Sequence, residues 1–229
     1  MSVGEIPAVY CLITTYNRLE MCLRTVRGIK ENLRWSNLGF VLVDDGSGQE
    51  YVDRVVKEIG ATNHLWVYQS NHKGVGHNMN VGLQHIFDLG GELVLLLEDD
   101  WELTTPLDLT PYVNLLINHE DIGYVRMGYL SVGLRGELIS RENLLWFDIE
   151  RNPNNQYNYV GHAGLRHKRL YDSLGKFSEG LSPGENELDY GSKYNYATSA
   201  PKIVWPAEWG VWGKFGHIGG VSLSGVKPG

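Results

Sequence analysis

Three consecutive carboxylates, Glu98-Asp99-Asp100, terminate the apolar run Leu93-Val94-Leu95-Leu96-Leu97. Such a run suits a strand buried on both faces of a sheet, and acids crowded at its carboxyl end repel one another unless a cation neutralises them. The placement predicts a divalent metal, because ligands of open α/β sheets bind beyond the carboxyl ends of the strands, where acids can share a cation with a diphosphate. Oxygen ligands select Mg²⁺ or Mn²⁺. The competing reading is a solvated turn, in which acids are ordinary residues.

These acids need a scaffold, and the chain supplies a repeating one. Apolar residues 8–13 lead into Thr14-Thr15-Tyr16-Asn17-Arg18, and residues 40–43 lead into Asp44-Asp45-Gly46-Ser47-Gly48. Helical spacing follows each cluster, through Ile29 and then over residues 50–59 with Gly60 as the stop. A third strand at 65–68 and a third helix at 75–89 precede the acidic strand. Strands alternating with helices imply an α/β fold with a mostly parallel sheet covered on both faces. Beyond Trp101 the pattern predicts a helix over 106–118, a strand over 122–127, and a strand pair turning near Arg135-Gly136. A strand over 157–165 follows, with His162 packed within it, then helices over 168–174 and 185–196 and a strand over 202–205. The glycine-rich tail after Trp209 reads as a mobile lid. No repeat or linker splits the chain, which reads as one domain.

Composition narrows the function classes. Of 229 residues, 20 are Lys or Arg and 27 are Asp or Glu, a formal charge of −7 that leaves no electrostatic footprint for bulk nucleic-acid binding. The two cysteines, Cys11 and Cys22, lack metal-ligand spacing and read as reduced core residues. Residues 1–7 lack the features of a signal peptide, and no apolar run reaches the ~18 residues that suggest a membrane span. A cytoplasmic protein without a transmembrane segment is expected, and a lipid-linked acceptor is compatible with it.

Five segments in order, from residue 13 to 193, resemble the GT-A glycosyltransferases, specifically the inverting family 2 that includes cellulose and hyaluronan synthases. Ile13-Thr14-Thr15-Tyr16-Asn17-Arg18 and Val43-Asp44-Asp45-Gly46-Ser47 resemble its first two nucleotide-binding loops. Asn71-His72-Lys73-Gly74-Val75-Gly76-His77-Asn78-Met79-Asn80 resembles its third segment, and Glu98-Asp99-Asp100 falls at its metal-binding acid motif. Gly175-Lys176-Phe177-Ser178 and Glu185-Asn186-Glu187-Leu188-Asp189 resemble the segment carrying the catalytic acid. Two departures stand out. Asn186-Glu187 replaces the usual acid pair, and the Gln-x-x-Arg-Trp motif of processive members is absent, which argues for addition of one or a few sugars.

The resemblance implies a single Rossmann-like GT-A domain with a smaller acceptor-side sheet. Residues 8–101 would form its nucleotide-sugar half, 102–205 its acceptor and catalytic half, and 206–229 a flexible lid. It implies transfer of a sugar from a nucleotide-diphospho-sugar, with UDP favoured, to a glycan or other hydroxyl-bearing acceptor. Thr14, Tyr16 and Arg18 would line the nucleotide pocket, Asp45, with Asp44 as its less favoured neighbour, would accept a hydrogen bond from the base, and Asn80 belongs to the same set. Lys73 would meet phosphate as a point charge, unless it is simply solvated. Asp100 is the expected metal ligand, with Glu98 or Asp99 on the ribose hydroxyls or metal-bound waters, and His217 would reach the metal or diphosphate from the tail. Glu187 is the expected base, with Glu185 and Asp189 close enough in sequence to compete. Without the resemblance, these acids read as favourable charges near a helix start. Trp205, Trp209 and Trp212 are candidates to stack on an acceptor sugar. Two other functions fit parts of the pattern: a nucleotidyltransferase, against which the lack of a glycine-rich phosphate loop after the first strand counts, and a binding module that has lost its base.

Overall fold

Each apolar run that ends in a polar cluster becomes a strand of one sheet, and the clusters line up along a single edge. The computed structural model describes residues 6–131, 133–155, 157–161 and 163–219. In chain order the elements are β1 (Val9–Thr15), α1 (Leu19–Asn32), β2 (Leu33–Arg34), β3 (Leu38–Asp44), α2 (Gln49–Ile59), β4 (Leu65–Gln69), α3 (Val75–Asp88) and β5 (Leu93–Glu98). They continue with β6 (Trp101–Leu103), β7 (Leu107–Asp108), α4 (Thr110–Asn118), β8 (Ile122–Arg126), β9 (Gly136–Arg141), β10 (Leu144–Ile149) and β11 (Gly164–His167). Last come α5 (Lys168–Leu174), α6 (Pro183–Tyr196), β12 (Lys202–Pro206) and β13 (Phe215–His217).

The main sheet has nine strands in the order β4-β3-β1-β5-β11-β8-β12-β10-β9. All but β11 and β10 run in one direction. In register, Thr15 lies beside Asp44 and Thr14 beside Glu98, so the polar residues after β1, β3 and β5 converge. Two small sheets, β13-β6 and β2-β7, flank the large one. Strand side chains alternate between faces. Cys11, Ile13, Phe40, Leu42, Leu95 and Leu97 pack with α1, α2 and α4. Leu12, Val41, Val43, Val94 and Leu96 pack with α3, α5 and α6. Strands β1, β3 and β5 are therefore apolar up to their polar ends because both faces are covered. Cys11 and Cys22 are buried free thiols.

Several sequence expectations shift. The hairpin of β9 and β10 turns at Glu142-Asn143, not near Arg135-Gly136; both turn residues have positive φ, 52° and 61°, which Asn tolerates and which suits a two-residue connection. Helix α4 begins at Thr110 because residues 107–108 pair with β2 first. Residues 157–161 form a loop, and the strand expected there covers only Gly164–His167; His162 lies outside the described residues. Among the described residues no helix is long and apolar enough to cross a membrane.

Candidate active site

Strand β5 delivers Glu98 to the sheet edge, and the turn after it carries Asp99 and Asp100 inward, at 0% and 4% exposure. Two side chains from elsewhere in the chain contact Asp99 and Asp100. Arg18, at the start of α1, places Nη2 2.5 Å from Asp99 Oδ1 and Nη1 2.7 Å from Asp100 Oδ2. Strand β13 pairs with β6 and brings His217 Nε2 to 3.3 Å from Asp100 Oδ2. Arg18 and His217 thus partner the two inward-turned acids. Asp99 also accepts from Thr15 Oγ1 at 2.6 Å, and Thr15 in turn contacts the Tyr51 hydroxyl of α2.

The environments push these acids apart. Burial raises Asp99, outweighing Thr15 and Arg18. For Asp100 burial acts in the same sense, but the His217 hydrogen bond and the Arg18 charge hold its carboxyl below the ordinary range. Glu98 is pushed up to about 7 by burial, by Asp100 and by Glu187. The hydrogen bond to Asp100 raises the His217 imidazole. Asp100 Oδ1 is buried and has no hydrogen-bond partner among the described residues. A bare carboxylate oxygen beside an imidazole suits a Mn²⁺ or Mg²⁺ ion. Among the described residues no three His, Cys, Asp or Glu side chains converge as a metal-binding group.

The second polar cluster builds the neighbouring loops. Asp44, fully buried, accepts from Gly46 N (3.2 Å), Ser47 N (2.8 Å), Ser47 Oγ (2.5 Å) and Gln69 Nε2 (3.2 Å). Asp45 accepts from Ser70 Oγ at 2.5 Å, Lys73 N at 2.9 Å and Gly74 N at 3.1 Å, fastening the loop that starts α3. Burial pushes this carboxyl up, but those donors and Asn78 outweigh it and hold it low. Thr14 is 6% exposed, between Val43 and Glu98. Tyr16 is 41% exposed and meets the His72 ring edge to face at 4.9 Å, while Lys73 is exposed beside it. His72 was not singled out by sequence; its signal is a positive φ of 51°, visible only in the fold. Asn80 sits on the far side of α3, exchanging hydrogen bonds with Phe177 N and O and donating to Glu179 Oε1.

Helix α6 starts with a capping box between Ser182 and Glu185, which commits Glu185 to the helix start. Asp189 is engaged by Ser178 and Lys193. Asn186 is 3% exposed and donates to Ser178 O at 2.5 Å. Glu187 alone of the three acids turns inward, accepting from the Gly161 amide. A Cβ placed on Gly161 would lie 3.5 Å from Glu187 Oε1 and 3.8 Å from Glu98 Oε1, so the two carboxylates lie together beside this glycine. Burial raises Glu187, against the Gly161 amide, Arg126 and Arg166. Both arginines are fully buried, on β8 and β11, and sequence reasoning missed them. Their signal was present: a cation inside an apolar strand is costly unless it serves a built polar site. Of the three tail tryptophans, Trp205 is buried and Trp209 packs on Tyr112, whereas Trp212 is 54% exposed and bridges to Tyr129.

The sequence matches glycosyl transferase family 2 over residues 10–174. No curated protein matches it. Among solved structures it is similar to S. aureus TarS 1-349, at 19% identity and a TM-score of 0.60, covering 87% of this chain and 60% of that one. The same protein in complex with UDP-GlcNAc gives 19%, 0.58, 86% and 58%. A mannosyltransferase, PcManGT from Pyrobaculum calidifontis, in complex with GDP-Man and Mn²⁺, gives 16%, 0.54, 89% and 58%. At these identities the likeness shows the fold, and the chain spans about 60% of the length of these proteins.

Proposed function

Because the chain belongs to glycosyl transferase family 2, we propose that it moves a sugar from a nucleotide-diphospho-sugar to an acceptor hydroxyl, with inversion, by a single displacement. The observation that carries this reading is the meeting of Glu187 with Glu98, the first of the three acids, beside Gly161. A base opposite a leaving diphosphate is what inversion requires. Asp100 Oδ1 and His217 would hold a Mn²⁺ or Mg²⁺ ion, which, when bound, supplies positive charge where the leaving diphosphate becomes more negative. Arg18, already against Asp99 and Asp100, adds a fixed cation at the same edge. Tyr16 and His72 offer ring faces to a base, and UDP is the favoured nucleotide, consistent with UDP-GlcNAc in the TarS complex.

Glu187 takes the proton from the acceptor hydroxyl as the sugar transfers. The Gly161 amide holds Oε1, which leaves Oε2 for that proton. Trp212, exposed beside Tyr129, presents an apolar face that suits the C–H face of an acceptor sugar. The test is nucleotide release from a panel of UDP-GlcNAc, UDP-glucose and GDP-Man, each with Mn²⁺ or with chelator. Release from at least one donor is expected in the wild type, at least 10²-fold slower in Glu187→Gln, roughly what a positioned general base contributes. Equal turnover by the variant removes Glu187 from this role.

A further inference from the structure

We propose that Arg166 is a positioning residue for Glu187, acting on it through the single peptide group that joins Val160 to Gly161. The inference rests on the reading of Glu187 as the base. Arg166 Nη2 donates to Val160 O at 3.0 Å and to Gly161 O at 3.3 Å. It also donates to the Tyr124 hydroxyl at 3.0 Å, and that hydroxyl donates to Val160 O at 3.2 Å. The other end of the same peptide, the Gly161 N–H, donates to Glu187 Oε1. In a trans peptide the C=O and N–H point in opposite directions. A guanidinium therefore sits at the negative end of this dipole and a carboxylate at the positive end, an arrangement in which each hydrogen bond polarises and strengthens the next.

A buried guanidinium needs compensation, and Arg166 has it: its charge lies over the faces of Tyr124 (4.3 Å) and Tyr159 (5.6 Å) as well as against the loop carbonyls. Arg126 clamps the start of the same loop through Tyr157 O at 3.0 Å. The charged and titratable groups facing Glu187 are Glu98 from β5, Arg126 from β8, Tyr129 just after it and Arg166 from β11. A direct Arg–Glu pair tends to occupy both carboxylate oxygens in a bidentate fork. An interposed amide engages one oxygen and leaves the other to accept a proton, while the cation still favours the ionised form.

The test needs no donor, so it is separable from the function above. The Glu187 carboxyl is followed by ¹³C NMR titration, its signal assigned by its loss in Glu187→Gln. Arg166→Met is expected to raise the titration midpoint by about one pH unit, a roughly tenfold loss of acidity. Tyr124→Phe, which removes one donor to Val160 O, should raise it by less, and Arg166→Lys should recover most of the shift. Should Arg166→Met fail to fold by circular dichroism, Tyr124→Phe carries the test. Unmoved midpoints in the folded variants overturn the proposal. A midpoint that moves while the acid limb of nucleotide release does not would uphold the peptide link and reject Glu187 as the base.

Discussion

Gly76, the second residue of α3, lies under the segment that carries Glu187, and Gly76→Ala tests how closely the two are fitted. A Cβ there would fall 2.2 Å from Ser178 O and 2.5 Å from Asn186 Nδ2. Ordinary contact distances are about 3.5 Å, so the 178 segment or the start of α6 must retreat by roughly 1 Å. Alanine gains at most about 1 kcal/mol over glycine in helix propensity. Against that stand roughly 1–3 kcal/mol for overpacking and about 1 kcal/mol for the strained Asn186 to Ser178 hydrogen bond. The overpacking wins, for a net loss of about 1–3 kcal/mol. For a domain of this size that lowers Tm by roughly 2–12 °C in a circular dichroism melt. Glu187 follows Asn186 directly, so the same retreat moves the proposed base, and a displacement of about 1 Å can cost about 10²-fold in kcat/KM. A variant with an unchanged or higher Tm and wild-type nucleotide release would refute this fit between α3 and α6.

Four further outcomes are expected. Because burial raises the Glu187 carboxyl, kcat/KM should fall on its acid side at a pH above the ordinary carboxylate range, and a limb at the ordinary value would contradict the burial. Mn²⁺ with UDP should raise the wild-type Tm by an increment that Asp100→Asn abolishes and His217→Ala reduces; an increment intact in Asp100→Asn would place the ion elsewhere. Asp44→Ala leaves the Ser47 and Gly46 amides without their acceptor and should cost about 1–3 kcal/mol, seen as a lower urea midpoint at constant m. His167, which caps α5 by accepting from Arg169 N at 3.2 Å, is held at about 4 by burial, below the ordinary imidazole value of 6.5. Between those values the unfolded chain binds a proton that the folded chain does not, so stability should fall as pH drops from about 6.5 toward 4. His167→Asn keeps a capping acceptor and should flatten that decline in urea titrations at successive pH values.

Residue pattern alone gives the order of the long strands and helices up to β5, though not the short strand β2. Apolar runs read directly as β1, β3 and β5 because strands covered on both faces are apolar on both, and the short run of β4 was legible at the half-buried sheet edge. The acids at the sheet edge followed from that, since polar residues accumulate where such a strand ends, and the short helix at Lys168–Leu174 was legible from its spacing and the glycine that stops it. The family motifs also singled out Glu187, though nothing local separated it from Glu185 and Asp189. Only the fold made that separation, by spending Glu185 on a helix cap and Asp189 on Ser178 and Lys193. It also showed that Arg18 contacts Asp99 and Asp100, that His217 contacts Asp100, and that Gly161, Arg126 and Arg166 surround the inward-facing carboxylate. These relations were hidden because β11 runs antiparallel between β5 and β8, joining residues far apart along the chain. Periodicity reports which face a side chain takes within its own element; the partner across the sheet is decided by strand order, a property of the packed whole.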